Sequence, residues 1–174
     1  MLSALVSTIY SACLSDEQLI KDNEGTVNFK PDSNSRSVCW GCNAADLQNY
    51  LGLDYDQMAR DGSVISLADC NTMFAAKLAD ARSSADKIFG KNKPSCSCAR
   101  ATAVDVIFDI SPAVAEVDLQ EWKTPMDADN YLDQTGGLEE SAYDWLYSYF
   151  WCYNNGNRCS NDLEQLKNSK CASI

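Results

Sequence analysis

Residues 66–90 read SLADCNTMFAAKLADARSSADKIFG, and this stretch decides the fold class. Leu67, Cys70, Phe74, Leu78, Ala81, Ala85 and Ile88 recur at three- and four-residue spacing. That spacing predicts one apolar face on a helix of about six turns. Ser66 is placed to cap its N-terminus, and Asp69 three residues on completes a capping-box pattern. Gly90 and Pro94 stop it.

The same signals extend in both directions. Ala99 to Ile110 is a second predicted helix, with Val104, Ile107 and Phe108 inward. Ser111-Pro112 opens another towards Trp122, Thr124-Pro125 repeats that start, and Gly136-Gly137 ends the short helix it opens. Leu138 to Cys152 follows, and Ser160 is the expected cap of a last helix through Asn168. Towards the N-terminus, Asn43 to Leu51 reads as helix. Leu2, Leu5, Val6, Ile9, Cys13 and Leu14 recur as an amphipathic packing helix. Strand signals are confined to Thr26–Phe29 and Val64-Ile65, and 22–38 reads as an exposed polar loop. The expectation is all-α: residues 1–174 as a single disulfide-stabilised helical domain of about six to eight helices, with little or no β.

Composition excludes several chemistries. The chain has 174 residues, a length that suits one domain. It has no histidine, which removes Ser-His-Asp and Cys-His catalysis, mixed Cys-His zinc sites and histidine-ligated haem. A net charge of -11 argues against nucleic acid as a partner. No stretch approaches the roughly 18 apolar residues of a membrane span. Met1 to Leu14 lacks the basic start of a secretory signal. Acid pairs such as Asp54/Asp56, Asp127/Asp129 and Glu139/Glu140 read as solvated, because nothing places them on one cleft. The charge is uneven. Between residues 111 and 150 (the acidic helical stretch) Lys123 is the only base among nine acids, whereas Lys77, Arg82, Lys87, Lys91, Lys93 and Arg100 cluster upstream. Opposite poles suit self-association or a charged protein partner, unless both are ordinary solvated faces.

Nine cysteines in this length point to three or four disulfides and an oxidising compartment, extracellular or a lumen. Cys13, Cys39, Cys42, Cys96, Cys98, Cys152, Cys159 and Cys171 are the disulfide candidates. The odd count leaves a thiol, and Cys70, on the apolar face of the long helix, is the expected one. Cys152 with Cys159 is the most local pair. Two other readings compete: a redox Cys39-Trp40-Gly41-Cys42 motif, and a zinc held by Cys39, Cys42, Cys96 and Cys98.

The most unusual segment is 143–153, with Tyr143, Trp145, Tyr147, Tyr149, Phe150, Trp151 and Tyr153. A helix apolar all round is buried in its own core or against a partner, so these rings are core or interface candidates. Just before and into it, Met126 to Trp145, with its Gly136-Gly137-Leu138, resembles a stretch of papain-type cysteine proteases. Cys39-Trp40 echoes that family's nucleophile pair, with Cys39 at the nucleophile position. A functional protease of that kind is excluded because the catalytic histidine cannot exist.

No catalytic, cofactor-binding or metal-ligating residue is assigned. The expected function is that of a non-enzymatic, secreted, disulfide-rich helical protein acting by protein–protein interaction, like an effector or signalling protein. The alternatives are an accessory structural subunit of an assembly in an oxidising lumen, a zinc-stabilised intracellular protein, and a small apolar-ligand carrier.

Overall fold

The computed structural model describes residues 13–31, 36–128, 141–148 and 156–168. Helix α1 (Asp16–Glu24) begins where Ser15, in extended backbone, accepts a hydrogen bond from the Gln18 amide, and it ends at Gly25 with φ 71°. Strands β1 (Ser37–Val38) and β2 (Cys42–Asn43) pair antiparallel, with Val38 opposite Cys42. The turn between them needs positive φ at Cys39 and Gly41. Asn43 then caps α2 (Ala44–Leu51) in a reciprocal capping box with Asp46. Asp54 caps α3 (Tyr55–Asp61), and Ser66 caps α4 (Leu67–Phe89) through the Asp69 amide. There follow α5 (Ser97–Ile110), α6 (Pro112–Asp118), α7 (Gln120–Asp127), α8 (Ala142–Ser148) and α9 (Gly156–Asn168). The fold is all-α with one tiny sheet, as expected.

At the centre is α5. Every residue from Ala101 to Phe108 is buried, and the helix packs against α4, α1, α9 and α6. Its sequence explains much of this, since from Ala101 onward it is apolar apart from Thr102, Asp105 and Asp109, and so largely apolar a helix is covered on most sides. A large apolar cluster surrounds it, drawing Phe74, Ile88 and Phe89 from α4, Trp122 and Met126 from α7, and Leu163 and Leu166 from α9. A smaller cluster joins the hairpin, α2, α3 and the start of α4 through Val38, Leu47, Tyr55, Ile65 and Met73. Trp40 packs against both.

Several expectations are corrected. Cys70, Phe74, Leu78, Ala81, Ala85 and Ile88 form the buried face of α4, but Leu67 is 53% exposed, and its neighbours from Ser66 to Asp69 are exposed too. Helices α1 and α3 carry mixed polar sequences without clear periodicity. They are held by caps and by a few anchors, Leu19 and Ile20 in α1 and Tyr55 in α3. The segment 22–38 is not all exposed loop. Its first residues complete α1, Asn28 bridges to Cys39, and Val38 is fully buried. Pro125 does not open a helix but sits inside α7, where its missing N–H forfeits the bond to the Glu121 carbonyl. Ser160 is not a cap either. It lies within α9, and its hydroxyl donates to the Gly156 carbonyl. Cys13 and Leu14 are not helical, and residues 1–12 of the expected N-terminal helix lie outside the described residues.

Candidate functional site

The cysteines divide between staples and one thiol. Cys13–Cys98 ties the chain ahead of α1 to the first turn of α5, with Cα atoms 5.1 Å apart. Cys39–Cys70 ties the hairpin turn to the first turn of α4, at 5.3 Å. Cys96 and Cys159 are also disulfide-bonded. Among the described residues the free cysteine is Cys42, which is fully buried. The assignment of Cys70 as the spare thiol is therefore overturned. The apolar face that makes it look inert also aims it at Cys39. The same bonds remove the zinc reading, because Cys39, Cys96 and Cys98 are not available as thiolates. In this fold Cys39 and Cys42 are likewise not bonded to each other, and Cys39 is not a free nucleophile. Cys152 and Cys171, and with them the Cys152–Cys159 pairing, lie outside the described residues.

A buried ionic centre joins α1, α5 and α9. Asp105, fully buried in α5, receives both Nε and Nη2 of Arg158 at 2.9 and 2.7 Å. Asn23 donates to the same carboxylate at 2.9 Å, and Asn161 donates to Asn23. Nη1 of Arg158 reaches Glu24 at 2.5 Å and Asp109 at 3.1 Å. Burial opposes the arginine's charge, but the three carboxylates outweigh it and hold the guanidinium protonated at any ordinary pH. Glu24 also packs against Gly41, so a side chain there would have to displace the Glu24 carboxylate and would sit at an unfavourable φ of 64°. On the other side of that turn, buried Lys77 donates to the Gly41 carbonyl at 2.8 Å, pairs with Asp46 at 3.0 Å and lies over the Phe108 ring at 4.3 Å. This centre was missed in the sequence. Its signal was Asp105 and Asp109, four apart in the otherwise apolar run from Ala103 to Ile110, since a carboxylate buried there requires a cation.

Two neighbouring surface grooves, of about 430 and 390 Å³, share Asp16, Ser97 and Arg100. Arg82 grips Asp16 with two hydrogen bonds of 2.7 and 2.6 Å, and Arg100 binds Asp86 at 2.5 Å and the Lys93 carbonyl. Burial raises the Asp16 pKa, but the Arg82 contacts more than offset it and hold the carboxyl below its usual range. Both guanidiniums are thus paired with carboxylates of their own chain.

The charge poles also meet inside the chain, where Lys87 of α4 pairs with Glu116 of α6 at 3.5 Å. Of the aromatic candidates, Trp145 is core and not interface. It stacks on Trp122 at 5.5 Å between ring centres, and Trp122 donates its indole N–H to the Ala142 carbonyl. Tyr143 is half-buried, with Lys167 over its ring. The side chain of Tyr147, and Tyr149, Phe150, Trp151 and Tyr153, lie outside the described residues. No helix among the described residues is long and apolar enough to cross a membrane. No protein-family model matches the chain, and no curated protein matches it at a significant level.

Proposed function

We propose that this chain is a non-enzymatic, disulfide-stapled helical protein of the extracellular space or another oxidising compartment, acting by binding another protein. The observation that carries the reading is the pair of staples joining segments 85 and 31 residues apart. Disulfides of this kind persist where thiols are not kept reduced. The commitment of Arg82, Arg100, Arg158 and Lys77 to partners within the fold supports a scaffold role over acid–base chemistry. Peptide mapping of the native protein without reductant tests it. Linked Cys13/Cys98 and Cys39/Cys70 peptides are expected, and nine alkylatable thiols would refute the compartment.

One observation favours a second reading, that of a subunit in a larger assembly. Val114 and Val117, three apart on α6, are 44% and 73% exposed. Light scattering of the purified protein separates the two, a stable monomer favouring the first and concentration-dependent assembly the second.

A further inference from the structure

The smaller apolar cluster holds three sulfurs. Cys39, Cys42 and Cys70 are 4%, 0% and 0% exposed and pack with Val38, Leu47 and Met73. Two of them form the Cys39–Cys70 disulfide, and the third is a thiol. Cys42 lies opposite Val38, at the far end of the turn that Cys39 begins. Its S–H donates to the Trp40 carbonyl at 3.8 Å, back across that turn. A thiol enclosed in the same cluster as a disulfide, and only three residues along the chain from one of its sulfurs, is placed to become a partner in thiol–disulfide exchange.

We propose that Cys42 is the exchange partner of the Cys39–Cys70 disulfide: when this cluster opens, the bond moves to Cys39–Cys42 and frees the Cys70 thiol on α4. The step balances without an added oxidant or reductant. The Cys42 thiolate attacks Cys39 Sγ, a Cys39–Cys42 bond forms as Cys39–Cys70 breaks, and Cys70 leaves as a thiolate that takes up the proton Cys42 lost. One disulfide and one thiol are present before and after.

The closed cluster is inert for two reasons. Packing of α4 on α2 and β2 keeps Cys70 beside Cys39. Burial also pushes the Cys42 thiol up to about 12, against the opposing pull of the Lys77 ammonium and with Asp46 and Glu24 adding to the rise. Thiolate is therefore scarce at neutral pH. Opening reverses both conditions. The thiol returns towards the ordinary range, and a ring closed over three residues costs less chain entropy than one closed over 31. The bond then traps the open arrangement, with α4 no longer tied to the hairpin.

The test uses the full-length, disulfide-intact protein at pH 8 in urea below its main unfolding transition, without reductant. N-ethylmaleimide is added as quench and the peptides are mapped. Without urea, Cys42 and Cys70 should stay unlabelled and Cys39–Cys70 intact. With urea, label should appear on Cys70 together with a Cys39–Cys42 peptide, at least about tenfold above the level in Cys42→Ser. Label on Cys42 alone, with Cys39–Cys70 intact throughout, overturns the proposal. Cys70→Ser gives an independent reading in a glutathione redox buffer. A Cys39–Cys42 disulfide supports exchange, whereas two labelled thiols at Cys39 and Cys42 refute it.

Discussion

Arg158 pairs with three carboxylates, those of Glu24, Asp105 and Asp109. Truncating it strands Asp105, which has no access to water, so Arg158→Met should destabilise by roughly 3 to 5 kcal/mol. Combining it with Asp105→Leu should recover much of that loss, because removing both charges is far milder than removing one. Urea titrations of the two variants measure the difference. Asp16 makes a second residue-scale prediction. Its pKa lies below 3.8 in the fold, so its contribution to stability is present above pH 3.8 and is lost as pH falls through the lower folded value. Asp16→Asn should flatten the acid limb of a stability–pH profile and leave the slope above pH 5 unchanged. The effect is modest because the Arg82 side chain is 48% exposed.

The helices are set at their ends as much as along their faces. The reciprocal box of Asn43 and Asp46 starts α2 against the hairpin, and Ser66 starts α4 by accepting from the Asp69 amide at 3.0 Å. Ser66→Ala should therefore cost about 1 kcal/mol in equilibrium unfolding. Because residues 66–69 are exposed, that loss should come with no change in the core. The long periodic face of α4 was legible because 23 residues repeat the same spacing. Helices α1 and α3 were not, because each is short and few of its residues are buried, so periodicity averages over too little. The break between α6 and α7 at Leu119 was equally hidden, since Leu119 is itself a buried core residue and carries no stop signal.

For the whole molecule, the two mapped staples differ in what they constrain. Cross-linking over 85 residues restricts the unfolded chain more than cross-linking over 31, by chain entropy about 4.6 against 3.7 kcal/mol. Replacing both cysteines of the Cys13–Cys98 pair by alanine should lower the thermal midpoint more than the same change at Cys39–Cys70. Calorimetry of the two double variants gives the order. The charge distribution also changes meaning at this scale. Lys87 and Glu116 bring the basic and acidic stretches into contact as α4 packs on α6, so part of the apparent polarity is neutralised internally.

The sequence by itself determined the all-α class, the exact course of α4 and the exclusion of histidine chemistry, because periodicity, caps and composition are local properties. The inward face of α5 was partly legible, and its two aspartates were a sign that a cation must come from elsewhere. Only the tertiary structure decided that the cation is Arg158, 53 residues from Asp105. It likewise decided that Cys70 is bonded and Cys42 is the thiol. Pairing depends on which surfaces the packed helices bring within a few ångströms, and that distance is written nowhere in the local sequence.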